Sequence, residues 1–411
     1  MPETTTEPPA IPRQRRDEHL DWLKTITTIP TAAGHERRVV AWVERWLGER
    51  PELATRTDAH GNIEIRDTRA PDTGAPIYFT AHLDHPAFVV ERRISDTEIV
   101  CSFRGGVMSD YFPDAAIRVH HADDAWTPAR VIGAVDPDGD EWSETDARAF
   151  KLYRCALDAP RPVEPGTIAT WDLPGPGVVD DEFGGILHTD ACDDLAAVAA
   201  ALAALDELRR ADPPTDTRVL LTRAEEVGFI GAIGASRDRF MPERSRLIAL
   251  ENSRAFPDAP IHGGPIVRVG DRVSVFSPEL TGAVAQVAQR ISGGPATPKA
   301  SQKRSEMPAW RWQRKLMAGG ACEASVFCAM GYQATCVCLP LGNYHNMADL
   351  TEVQAGSFGG TPRVGREHIG LDDFGGMVDL LVACGGGLPD SPSFAQRLES
   401  LWDTHRFVLD G

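Results

Sequence analysis

Short apolar runs that end in acids or histidine are the most regular feature of the chain. Ile77-Tyr-Phe-Thr-Ala81 leads into His82-Leu-Asp84, Val219-Leu-Leu-Thr222 into Glu225 and Glu226, Leu247-Ile-Ala-Leu250 into Glu251, and Ala334-Thr-Cys-Val-Cys-Leu339 into Pro340-Leu-Gly-Asn-Tyr-His345. Runs of this length predict strands buried on both faces, and the carboxyl ends of such strands are where α/β proteins place ligands. Leu195-Ala-Ala-Val-Ala-Ala-Ala-Leu-Ala-Ala-Leu205 predicts a buried helix that opens directly after Cys192-Asp193-Asp194. Two amphipathic helices lead in, the first on Leu20, Leu23 and Ile26, the second on Val39, Val43, Trp46 and Leu47. Asp58-Ala-His-Gly-Asn62 predicts a hairpin turn before the strand Ile63-Glu-Ile65. Gly228, Gly231 and Gly234 open a helix whose small residues suit close packing, and residues 371–382 predict a closing helix interrupted by Gly375 and Gly376.

Between about 91 and 183 the pattern changes to short alternating pieces separated by Gly and Pro, such as Ile117-Arg-Val-His120, Ala129-Arg-Val-Ile-Gly133 and Gly166-Thr-Ile-Ala-Thr-Trp171. The expected fold class is therefore α/β, with a small all-β domain inserted into it. The expected boundaries are a leader over 1–16, a discontinuous catalytic domain over 17–92 and 184–390, the insertion over 93–183, and a helix or tail over 391–411.

Composition narrows the partners. The formal net charge of -18 argues against a nucleic-acid backbone or an anionic membrane and favours cations. No run is long and apolar enough to span a bilayer, and the first residues lack the apolar core of a signal peptide, which predicts a disordered leader on a cytoplasmic protein. The eight cysteines have no CxxC spacing, so neither a disulfide scaffold nor a zinc knuckle is expected. Cys336 and Cys338 read as core thiols.

The strand-end residues His82, Asp193, Glu226, Glu251 and His345 supply two imidazoles and three carboxylates. That donor set suits two divalent ions per chain, zinc first, with cobalt or manganese as alternatives, one carboxylate being shared. Such a pair lowers the pKa of a bridging water and polarises a carbonyl. Glu225, beside a ligand without being one, is the candidate general base, and of the two glutamates it should have the more raised pKa. In the His82-Leu-Asp84 triple both polar side chains fall on one side of extended chain, so Asp84 can hold one nitrogen of His82 while the other faces a metal. Rival chemistries lack their motifs: there is no GxSxG, His35-Glu36 has no second histidine, and the glycines after Glu226 do not make GxGxxG. Asp180-Asp181, in a Gly/Pro-rich loop, reads as a solvated turn.

These pieces together resemble the tetrahedral or glutamyl aminopeptidases, within the wider group of co-catalytic zinc peptidases. The resemblance rests on Ile29-Pro-Thr-Ala-Ala-Gly-His-Glu36, Gly61-Asn62, Thr80-Ala-His-Leu-Asp84, Cys192-Asp-Asp194, Ala224-Glu-Glu-Val-Gly228, Ala249-Leu-Glu251, Gly319-Gly-Ala-Cys-Glu323 and Tyr344-His345, in that order. It implies a mixed central sheet sandwiched by helices and a metal-dependent hydrolase that cleaves N-terminal residues through a metal-bound hydroxide. It assigns His82, Asp193 and Glu251 to one ion, Asp193, Glu226 and His345 to the other, Glu225 to general base and Asp84 to the orientation of His82. It also implies a homo-oligomer acting on a peptide or N-substituted amino acid, and allows a cis Asp193–Asp194 bond. A carboxypeptidase or N-acyl amino acid deacylase on the same metals, or a catalytically silent relative, is the alternative. Departures from the family pattern fall at Leu195 for arginine, Glu251 for aspartate, Glu323 for the end of Gly-Gly-Thr-Asp, and Gly342-Asn343 where arginine is common.

Overall fold

The computed structural model describes residues 8–135, 150–296, 308–389 and 393–409. Two helices, α1 (Arg13–Ile26) and α2 (Arg37–Gly48), precede the hairpin strands β1 (Leu53–Thr57) and β2 (Ile63–Asp67) and the buried strand β3 (Ile77–His82). Residues 1–7 of the expected leader lie outside the described residues, and Arg13 already opens α1. Six strands then close into a barrel: β4 (Ala87–Arg93), β5 (Glu98–Arg104), β6 (Ala116–His120), β7 (Trp126–Ala134), β8 (Lys151–Leu157) and β9 (Ile168–Trp171). The barrel begins at Ala87, so the chain leaves the α/β sheet within a few residues of His82.

The chain returns through β10 (Gly177–Val179) and β11 (Ile186–Thr189) to α3 (Leu195–Leu208), β12 (Thr217–Thr222), α4 (Ile230–Arg237), β13 (Arg246–Arg254), β14 (Ile266–Asp271) and α5 (Pro278–Ser292). After these come β15 (Gln313–Met317), α6 (Glu323–Ala329), β16 (Gln333–Leu341), α7 (Leu350–Gln354), β17 (Glu367–Gly370), α8 (Leu371–Gly386) and α9 (Ser393–His405). The main sheet has the order β1-β2-β12-β3-β13-β16-β14-β15, and β12, β3, β13 and β16 at its centre are parallel. The sheet is mixed because β1, β2 and β14 enter antiparallel to their neighbours.

Burial on both faces explains the apolar runs. Every residue of β3 and β12 is buried, and alternate residues serve opposite cores. Phe79, Ala81, Val219, Leu221, Ile248 and Val337 face α1, α2, α3, α5 and α8, whereas Tyr78, Leu220, Leu247 and Cys336 face α4 and α6. All fourteen residues of α3 are buried. Its alanines allow that depth, since they lose no side-chain freedom in a helix and let it pack closely on sheet and helices alike. At its carboxyl end Asp206 is satisfied by Arg50, Arg209 and Arg210, and Glu207 by Arg15, as buried carboxylates require.

Alternation also fixes the site. His82 shares the face of Tyr78 and Thr80 at the end of β3, and Glu251 that of Leu247 and Ala249 within β13, three residues before its end. In the parallel register Thr222 lies beside His82, which places the residues after β12 next to those after β3.

Candidate metal centre

His82 Nε2 lies 3.5 Å from Asp193 Oδ1, and His345 Nε2 lies 3.4 Å from Asp193 Oδ2 and 3.1 Å from Glu226 Oε1. The two oxygens of Asp193 thus face different imidazoles. Donor atoms of Asp193, Glu226 and His345 lie within 4.8 Å of one another, as do those of His82, Asp193 and Asp194, and those of His82, Glu225 and Glu226. Both imidazoles are oriented from behind: His82 Nδ1 donates to the carbonyl of Asp84 at 3.0 Å, and His345 Nδ1 to that of Gly106, on the loop after β5, at 2.7 Å. With Nδ1 committed to a main-chain carbonyl, each Nε2 is left facing the centre.

The acidic loop after β12 is tied down by Asp84. Its Oδ1 accepts from Glu225 N at 3.0 Å and its Oδ2 from Glu226 N at 3.1 Å. The Asp84 carboxylate stays 3.5 Å from His82 Nδ1, so the closer bond to that nitrogen comes from the Asp84 main chain. Ala224, just before the doublet, takes a left-handed φ of 54°, a conformation that costs a residue with a Cβ about 1–2 kcal/mol. Glu36 holds it there, accepting from Ala224 N at 3.1 Å while pairing with Arg223. At Gly231, which opens α4 beside this loop, a Cβ would stand 2.4 Å from the Arg223 carbonyl and 2.5 Å from Asn62 Oδ1, so only glycine permits the approach.

Residues with no apolar run to announce them complete the cradle. Glu367, at the start of β17, accepts from Cys192 N at 2.6 Å, Asp193 N at 3.0 Å and His345 N at 2.8 Å, joining the shared carboxylate to one of the imidazoles. His85 Nδ1 donates to the Asp193 carbonyl, and its Nε2 meets Asn346 Oδ1 at 3.0 Å. Asp194 is a support: its oxygens take His82 N at 3.2 Å and Asn252 Nδ2 at 2.8 Å. The Asp193–Asp194 bond is cis. Glu251 is buried beside the centre, yet none of its oxygens joins a donor set within 4.8 Å. Asp181 stands apart from this centre, with its Oδ2 2.7 Å from His262 Nε2 and its Oδ1 taking Phe183 N and Gly185 N, a more ordered role than a solvated turn.

Electrostatics mark the cluster as short of positive charge. Burial, then the neighbouring Glu226 and Glu323 carboxylates, push Glu225 well above the usual glutamate range despite His82. Burial and the charges of Asp193 and Glu225 do the same to Glu251. Burial opposes a proton on His82 and His345, but the surrounding carboxylates overcome it and raise both. Burial likewise opposes charge on Asp193, and the two imidazoles reverse that and hold it well below its usual range. Asp193 Oδ1 and Glu226 Oε1 are buried without a hydrogen-bond partner. Buried carboxylates crowded around two imidazoles, which they raise, leave a negative excess that a divalent cation satisfies by taking the place of the Nε2 protons. The residues present therefore fit a bound divalent metal.

A cavity of about 500 Å³ opens beside Glu251 and Tyr344 and is walled in part by Met317, Gly319 and Met347. Arg268 of β14 forms part of its wall. Arg268 is 3% exposed, and among the described residues it makes one hydrogen bond, from Nη1 to Ser253 Oγ at 3.1 Å, while its Nε has no partner.

Solved structures share this architecture. The TET1 peptidase of Pyrococcus horikoshii is 18% identical, with 89% of this chain and 99% of that one covered at a TM-score of 0.67. Aminopeptidase APDkam598 of Desulfurococcus kamchatkensis is 18% identical, with 91% and 96% covered at 0.66. An M18-family aminopeptidase of Thermotoga maritima is 12% identical, with 91% and 97% covered at 0.61. These likenesses define the class as the α/β peptidase fold with an inserted barrel. No curated protein sequence matches. A sequence model of the M42 glutamyl aminopeptidase family matches residues 61–292, more than half of the chain, and the chain belongs to that family. It is accordingly a peptidase, and so a hydrolase.

Proposed function

We propose that the chain is an aminopeptidase that works with two divalent ions, zinc first, with cobalt or manganese able to replace it. The observation that carries this reading is the division of Asp193 between two imidazoles, with Glu226 beside one of them and Glu225 Oε2 3.9 Å from the other. His82, Asp193 and Glu251 would hold one ion and Asp193, Glu226 and His345 the other; when bound, the pair would acidify a water and polarise the carbonyl of the first peptide bond. Glu251, none of whose oxygens joins a donor set within 4.8 Å among the described residues, is assigned here on the resemblance alone.

Glu225 is suited to the proton. Burial and adjacent carboxylates raise the proton affinity of its carboxylate, so once bound cations hold it ionised it can take a proton from the attacking water and later give that proton to the departing amine as the C–N bond breaks. Asp84 acts on this step from behind by holding the main chain of both glutamates. Glu225→Gln should abolish turnover while metal content and thermal unfolding stay as in the wild type, and retained turnover would sink the mechanism.

Arg268 supports a preference within this chemistry. A buried guanidinium with one hydrogen bond on the wall of the cavity beside Glu251 suits an acidic side chain on the first residue, in keeping with the family's description. The same cation could receive a substrate α-carboxylate, which is the observation favouring a carboxypeptidase or deacylase. A panel of glutamyl and leucyl anilides, dipeptides and N-acyl amino acids separates them, because only an aminopeptidase needs the free amine. Arg268→Met should erase a glutamyl-over-leucyl preference, with KM carrying most of the change.

The TET1 peptidase of Pyrococcus horikoshii assembles into a tetrahedron or an octahedral shell, and this chain is proposed to form a homo-oligomer as well. Among the described residues no helix is long and apolar enough to cross a membrane.

A further inference from the structure

Every residue from 398 to 409 is exposed, and half of them are large and apolar. Leu398, Leu401 and Trp402 of α9 are 48%, 43% and 54% exposed, and Phe407, Val408 and Leu409 of the following turn are 65%, 65% and 72% exposed. The helix packs on that turn and has no substantial packing against any other described helix or strand. Helix and turn together border a shallow concavity of about 620 Å³, wide open to solvent and lined by their own residues, Leu398, Trp402, His405 and Leu409 among them. Isolated apolar side chains on a surface need no explanation, but a continuous strip of this size does.

We propose that this strip is an isologous interface that pairs α9 antiparallel with α9 of a second copy of the chain. Three features select that occupant. Ridge and concavity belong to one segment, so each copy can fill the hollow of the other, as two-fold symmetry demands. The exposures correspond to on the order of 700 Å² of apolar surface per copy, close to the roughly 800 Å² per partner of a standard interface. Charge also complements itself: with Trp402 on the two-fold axis, Glu399 of one copy falls opposite His405 and Arg406 of the other, and the reciprocal pair forms by symmetry. An acidic chain of net charge -18 needs such local balance to bring two copies together. The likeness to solved structures covers 89–91% of this chain against 96–99% of theirs, so about a tenth of the chain is additional to the shared fold. The pairing is independent of the peptidase reading, because α9 contributes nothing to the metal centre.

The test is the mass of the full-length protein at micromolar concentration, by sedimentation or light scattering. Trp402→Glu should lower the assembly mass at least two-fold with circular dichroism and peptide turnover unchanged. Glu399→Arg and Arg406→Glu should each weaken the assembly, and the double exchange should restore it, because only antiparallel self-pairing brings those positions together. An unchanged mass in Trp402→Glu, a monomeric wild type, or a double exchange that fails to restore assembly would each overturn the proposal, including the case in which α9 docks on a different protein.

Discussion

Glu367 offers the sharpest test of how the centre is held. Glu367→Gln keeps the shape of the side chain but replaces one carboxylate oxygen by an amide donor. If the remaining carbonyl oxygen stays on Cys192 N and Asp193 N, the new NH2 faces His345 N–H, donor against donor. The variant then loses one charge-assisted hydrogen bond, about 1.5–3 kcal/mol, and weakens two others by roughly half. His345 has a left-handed φ of 54°, itself costing about 1–2 kcal/mol, and the lost bond is what anchors it there. The backbone around His345 should therefore relax and withdraw Nε2 from Asp193 and Glu226. Loss of outer support of this kind typically lowers metal affinity about 10–100-fold. Titration of metal-stripped protein with zinc against a competing chelator measures it directly. Wild-type affinity in Glu367→Gln, with an unchanged melting temperature, would refute the view that this carboxylate positions the ligands.

Two further perturbations probe the scaffold. Gly231→Ala should be destabilising despite alanine's better helix propensity, because the new Cβ meets the Arg223 carbonyl; overpacking of about 1–3 kcal/mol exceeds the ~1 kcal/mol gained. Calorimetry should show a lower melting temperature, and turnover should fall with it, since Glu225 and Glu226 lie in the loop that Gly231 closes. In the barrel, burial and then Arg38 and Arg118 push His120 down from 6.5 to about 3. The unfolded chain binds this proton first, so the contribution of His120 is complete above pH 6.5 and is lost as pH falls toward 3. His120→Gln, which can keep the bond to Thr170 Oγ1, should flatten the fall in stability over that window in urea titrations at stepped pH.

Which parts of this were legible in the sequence follows from where each signal resides. The central strands announce themselves because they are buried on both faces, and parallel pairing then sets their carboxyl ends on one line. That is why His82, Glu226 and His345 could be picked from runs far apart in the chain, and why Asp193, at the start of the buried helix, joins them. The barrel's hydrogen bonds begin at Ala87, earlier than the change in pattern near residue 91, because β4 is as apolar as the strand before it and composition does not mark the crossing. Glu367 had no such signal. It opens a short strand, Glu-His-Ile-Gly, whose place depends on pairing with β11, where Glu367 lies opposite Thr189. That pairing delivers its carboxylate to the main chain of Cys192 and Asp193 and is set by tertiary packing.

The same distinction separates Asp84 from the simplest reading of its spacing. The two-residue interval does put Asp84 on the side of His82, but the carboxylate finds stronger partners in two main-chain N–H groups that arrive from β12, 141 and 142 residues away. A carboxylate that accepts two N–H bonds is better satisfied than one facing a single imidazole, and the Asp84 carbonyl is already in place for that nitrogen. Periodicity thus identifies which side chains reach a centre, while the distribution of their hydrogen bonds is decided by strands that meet only when the sheet is assembled. Asp84 consequently couples the two halves of the site: the loop carrying His82 and the loop carrying Glu225 and Glu226 are fixed by one side chain, so a shift in either should be felt by both.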